Sequence, residues 1–352
     1  MEKSTQQKIS VDISAYGCIL LLLLTAVLHA QANTTTTDVK TIIATFELDE
    51  DQITALDQGE IVFFEIAEAT QKELALGLAM YLPSPPAKLT EFFRHGDLAM
   101  IDPDVQQYGT IAPESDSSAF SDFVFSSDQM NEVNDLLNAE AGDRFNLSAE
   151  EMKSLAALKK NLTATDAASI IAAVSQHYRQ ILLQRWQAYR QHGLSGIAPY
   201  ARQGAVVDPG EELRIAAANS KLLAHFSPAL HTAWLNYPAP LPVGAEELFF
   251  WLNNTVDDRP TAILSHRIMM ASDTASIIAT RQFYVGHSYN SSHLIVGCLP
   301  YRDGSVVFYT HRTSTDQVAG VGNTLKRSIG REHKKERMIQ NLEGLRTAVN
   351  AL

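Results

Sequence analysis

Hydrophobic and polar positions change their rhythm several times along this chain, and the changes predict its layout. Two runs near the start, EIVFFEIAE (60–68) and ELALGLAMYL (73–82), are apolar, β-rich and separated by polar residues, so they read as strands. A short helix precedes them, with Asp49 or Asp51 as its cap and Gly59 past its end. Ser84-Pro85-Pro86 opens another helix through about Arg94, because proline loses nothing at a first helical position. Residues 100 to 127 are rich in Asp, Ser and Pro and read as irregular, with one short strand at 123–125.

From about 128 to 255 the rhythm is helical. Ser148 and Glu151 form a capping box, and Ile171, Val174, Tyr178, Ile181, Trp186 and Tyr189 recur at helical spacing up to Gly193. Asp208-Pro209 and Ser227-Pro228 start two more helices, and the segment through ELFFWLNN is read as part of the same helical block. After Pro260 the pattern turns to strands at 262–271, 276–288, 293–301 and 305–313, with a hairpin signal at Asp303-Gly304. A last helix is expected from about 322 to 351. The divisions are thus a leader (1–32), a polar tether (33–48), a first α+β half (49–127), a helical insertion (128–255) and a β-meander with a closing helix (256–352).

The leader has a chemistry of its own. An apolar run from Cys18 to Leu28 is too short to span a bilayer and ends in Ala30-Gln31-Ala32, the small-x-small pattern of a cleaved export signal. The expectation is an exported protein, periplasmic or secreted, cut near Ala32. The formal net charge of −12 argues against general nucleic-acid binding, which needs clustered Lys and Arg. Of the 2 cysteines only Cys298 follows the leader, so no disulfide or cysteine metal cluster is expected within one mature chain. No cofactor is implied.

This order of elements resembles the START-like, or helix-grip, fold, in which a curved antiparallel sheet and a long C-terminal helix enclose an apolar cavity. The stretches RQFYVGHSYNSSHL, YTHRTSTD and LKRSI also look like a group of exported bacterial proteins without an assigned function. The START-like resemblance implies a small apolar or lipid-like ligand, although a fold does not determine its function.

Candidate chemistry is sparse. Gly286-His287-Ser288-Tyr289-Asn290 imitates a nucleophile elbow but has Asn where the motif needs its last glycine. The histidines have no metal-ligand spacing. By strand alternation Arg281, Phe283 and His287 share one face, and Tyr284 takes the other. Together with Tyr289 and Arg312 they form the expected ligand site, with Arg281 beside a cavity under the last helix. Asp316 is expected to pair with Arg312 or cap a turn. The basic stretch from Lys326 to Arg337 suits lipid headgroups or an acidic partner, or is a solvated helix face. Three functions remain open: a non-enzymatic carrier or sensor, an envelope interaction module using the helical block, and a hydrolase with a dispersed site.

Overall fold

In the computed structural model, the described residues are 44–95, 102–163, 166–272, 275–319 and 323–351. The expected export leader and most of the expected tether, residues 1–43, lie outside them. The chain begins with α1 (Glu50–Asp57), closed by a capping box between Asp49 and Gln52, and continues into β1 (Ile61–Phe64), β2 (Glu73–Leu82) and α2 (Pro86–His95). β3 (Val105–Ile111) follows. The helical block holds α3 (Met130–Leu137), α4 (Ala149–Asn161), α5 (Ala167–His192), α6 (Pro209–Ala218), α7 (Lys221–Phe226) and α8 (Pro228–Leu235). Between α5 and α6 lies a small hairpin, β4 (Tyr200–Arg202) and β5 (Ala205–Val207). The chain ends with β6 (Ala245–Val256), β7 (Arg259–Ala271), β8 (Ser276–Val285), β9 (Ser291–Tyr301), β10 (Gly304–Ser314) and α9 (Asn323–Asn350).

Eight strands form one antiparallel sheet in the order β1-β2-β10-β9-β8-β7-β6-β3. Its central strands are buried at most positions, polar residues such as His266, Arg281 and His293 included, because both faces are covered. The helical block packs one face through Trp186, Tyr189, Phe249, Trp251 and Phe283, all buried. α9 and α2 pack the other through Leu342, Leu345, Val349, Leu89 and Phe92 against Leu78, Met80 and Val307. Each large buried side chain contributes roughly 2–3 kcal/mol of transfer free energy. Gly297 lets β9 take the ring of its cross-strand neighbour Phe308, since a Cβ there would lie 2.0 Å from that ring.

The protein is thus α+β, an antiparallel sheet with a long C-terminal helix and a helical layer inserted between its halves. Three local expectations are corrected. ELFFWLNN is not in the helical layer: it forms β6, because Phe249 and Trp251 face the helices while Phe250 and Leu252 face the other layer. A run buried on both faces carries no period to distinguish strand from helix. The 123–125 segment is no strand. Phe123 and Phe125 insert beside Tyr178 of α5, and the Phe125 N–H donates to Ser175 Oγ rather than to a strand. Conversely β3 forms where an irregular stretch was expected, since it is an edge strand with mostly exposed polar residues.

Candidate functional site

The two faces of β7 and β8 have different chemistry. Their register pairs Arg267 with Thr280 and Ser265 with Gln282, and these four make a square of polar side chains on the α9 face. They line a cavity of about 170 Å³ between the sheet, α2 and α9. Its other walls are largely apolar, with Phe250 and Leu252 from β6, Leu294 and Val296 from β9, and Leu342 and Leu345 from α9. Tyr309 of β10 and Asn341 of α9 complete it, and Asp102 lies on its wall.

Several polar atoms of this cavity have no partner. The Arg267 guanidinium stacks 5.0 Å from the Phe250 ring centroid, and its Nε has no hydrogen-bond partner among the described residues. Burial alone pushes its pKa down to about 10, with no carboxylate opposing the shift, so it stays charged at neutral pH. Ser265 is 1% exposed and its Oγ is also unpartnered. Asn341 meets the Tyr309 hydroxyl but leaves Oδ1 unmatched. Gln282 Oε1 accepts from the Tyr289 hydroxyl at 2.8 Å. The Asp102 carboxylate accepts from the Asp104 N–H at 3.1 Å and lies 3.8 Å from Arg337 Nη1. Burial raises its pKa and Arg337 opposes that rise.

Of the residues expected at the site, only Tyr289 reaches this cavity's surroundings, through Gln282. Arg281 is a correction: it faces the helical block, not α9. The register aligns His266, Arg281, His293 and Arg312 in one row across β7 to β10, under the helices. Arg281 Nη1 donates to Tyr189 Oη at 3.2 Å, Nη2 donates to the Trp234 carbonyl, and the guanidinium lies 3.9 Å from the Trp234 ring centroid. The Tyr189 hydroxyl, which accepts from Arg281, lies 2.8 Å from His266 Nδ1. His266 Nε2 lies 2.9 Å from Glu247 Oε1 but off the hydrogen-bonding direction. Trp234 Nε1 donates to His293 Nε2 at 2.9 Å. Arg312 pairs with the buried Glu73 at 2.9 Å and donates to the Asn219 carbonyl. Asp316 pairs with Lys72 and Arg202 instead of Arg312.

Tyr284 faces the same helical layer as Arg281, against simple alternation. The register shifts between Leu264 and Ser265, leaving Phe283 as an extra residue on β8. Phe283 stacks on Tyr189, and Tyr284 shares a 2.8 Å hydrogen bond with Tyr178, so both enter the helical core. His287 sits at the end of the sheet. Its Nε2 lies 2.7 Å from Thr261 Oγ1 and 3.2 Å from the Pro260 carbonyl, which can only accept. The proton is therefore on Nε2, and Nδ1 accepts from Ser288 Oγ at 2.7 Å. Ser288 has φ +71°, as an elbow would, but β9 follows it rather than a helix. Among the described residues no carboxylate hydrogen-bonds to the imidazole.

The basic stretch of α9 is largely committed inside the molecule. Arg327 and Arg331 pair with Glu68, Arg337 pairs with Asp104, and Lys334 donates to the Leu74 carbonyl and Thr313. Sequence reasoning missed Arg267. Its signal was polar alternation inside two apolar strands, Ser265-x-Arg267 and Thr280-x-Gln282, which shows only when both strands are aligned.

No family model matches the chain, and no curated protein matches it. Among solved structures, the crystal structure of the di-domain ARO/CYC StfQ from the steffimycin biosynthetic pathway aligns at 11% identity, covering 79% of this chain and 98% of that one, with a TM-score of 0.25. So distant a likeness carries no argument about ligand or reaction, and the functional reading rests on the cavity.

Proposed function

We propose that this protein is a non-enzymatic carrier or sensor, working outside the cytosol, for a small molecule with an apolar body. The observation that supports this reading is the cavity under α9: apolar walls around a few polar atoms that the protein leaves unmatched. Buried polar groups are normally satisfied, so unmatched ones converging on a cavity favour a ligand that completes them. The volume limits the ligand. A cavity of about 150 Å³ takes a benzene ring, and this one, at about 170 Å³, suits one ring or a short chain rather than a whole lipid.

Ligand-observed NMR with benzyl alcohol tests the reading. Saturation transfer is expected to the wild type and to vanish in Val296→Trp, which fills the cavity from β9. Equal transfer to both proteins overturns it.

A further inference from the structure

We infer that the cavity selects a small monoanion, a carboxylate on a one-ring or short-chain body, with Arg267 as its counter-ion. This deepens the preceding reading and rests on it.

The polar groups of the cavity are gathered on one side. Arg267 and Thr280 are cross-strand neighbours, Ser265 and Gln282 are the next pair along, and all four point to the same face. Beyond them the strands turn apolar, at Ile278, Leu294 and Val296. A molecule spanning the cavity thus meets a cation and hydroxyls at one end and hydrocarbon along its length. The Arg267 side chain makes no hydrogen bond or ion pair among the described residues, and the Phe250 ring face lies against it. A carboxylate supplies two acceptors in the geometry a guanidinium fork takes, and Ser265 Oγ, with no other acceptor, can donate to it.

Charge sets the number of anionic groups at one. Among the described residues no second Lys or Arg lines the cavity. Its one carboxylate among the described residues, Asp102, is engaged with the Asp104 N–H and Arg337. A dianion would bring an unpaired charge into an apolar space and face Asp102 as well. A cationic ligand would meet Arg267 directly. A neutral ligand fits the space but leaves the guanidinium unmatched.

Isothermal titration of the full chain with benzoate, benzyl alcohol and benzylamine separates these cases, since the three bodies are nearly alike. Benzoate is expected to bind about 10- to 100-fold more tightly than benzyl alcohol, the range for a hydrogen bond to a charged group, and benzylamine most weakly. Arg267→Met should erase the benzoate preference while keeping benzyl alcohol affinity within about threefold. Arg267→Lys keeps the charge without the fork and should retain part of the preference. Benzoate and benzyl alcohol binding equally to the wild type, or a preference that survives Arg267→Met, overturns the anion inference and leaves the cavity reading standing. Binding of none of the three overturns both.

Discussion

Arg281 and Arg267 stand on neighbouring strands of one sheet, both within apolar runs, and they have opposite circumstances. Arg281 spends two donors, on Tyr189 and the Trp234 carbonyl, and lies against the Trp234 ring between His266 and His293 of the row, although its Nε, like that of Arg267, has no partner among the described residues. Arg267 has a ring face and nothing else. The difference separates a group that holds two layers together from a group that, on the proposed reading, a ligand engages. An arginine in a buried strand is therefore not a site signal in itself; the state of its hydrogen-bonding capacity is.

The sharpest way to break this comparison is to remove the engaged arginines. Arg312→Met strands the Glu73 carboxylate, which is 2% exposed, and should lower unfolding free energy by about 3–5 kcal/mol in urea denaturation. Arg281→Met should cost about 3 kcal/mol, since it leaves the Trp234 carbonyl unmatched. Benzoate affinity of the folded fraction should not change in either variant. Weaker binding with unaltered stability would reverse the assignment of the two faces.

Acid titration comes next. Burial pushes His266 from 6.5 to about 4, opposed by Glu247 and reinforced by Arg281, and burial likewise brings His287 to about 4. A base whose folded pKa lies below its unfolded value binds fewer protons when folded. Its contribution is complete above about pH 6.5 and is lost as pH falls through 4. Each shift amounts to about 3 kcal/mol by pH 4. Glu212 works in the opposite direction: burial raises it from 4.5 to about 6, which favours the fold by up to about 2 kcal/mol below that window. The net expectation is a fall in stability between pH 6.5 and 4, shallower in His266→Gln. An unchanged slope in that variant would show that the row beneath the helices does not titrate as its burial requires.

The smallest effect belongs to the unengaged arginine. Arg267→Met removes a half-buried charge without leaving a partner behind and should raise stability by up to about 1 kcal/mol. A loss above about 2 kcal/mol in thermal denaturation would mean that Arg267 is structural, like its neighbour.

Local signals in the sequence were legible and global ones were not. Ser148 with Glu151, Asp208 before Pro209, and Gly193 at the end of α5 mark helix ends through bonds made within one turn, and the structure contains each. The hairpin at 301–304 is present too, although Arg302, not Gly304, has the positive φ. Gly304 is needed instead because a Cβ there would lie 2.3 Å from the Leu82 carbonyl oxygen. Which face a strand residue takes depends on partners distant in sequence. Tyr284 was assigned by counting, and the register slip at Phe283 defeats counting. The sequence also carries Asn-x-Ser/Thr triplets at Asn33, Asn146, Asn161, Asn253 and Asn290, whose exposure it does not reveal: Asn146, Asn253 and Asn290 are buried, with Asn146 bonded to Val285 and Tyr289 and Asn290 to Glu212 of α6. Arg267 was overlooked for a related reason, since its distinction is a bond it does not make.

The extra residue at Phe283 makes β8 work like a sentence whose reading frame shifts partway. Before it, alternate letters address alternate layers; after it, the addresses are exchanged, so Val285 joins Phe250 and Ile263 where simple counting would send Tyr284. The strand therefore holds two interleaved inscriptions, one read by the helices above and one by the cavity below. Substitutions can revise either inscription letter by letter while the other stays legible. On the proposed reading, ligand preference can drift over generations without disturbing the layer that keeps the molecule folded.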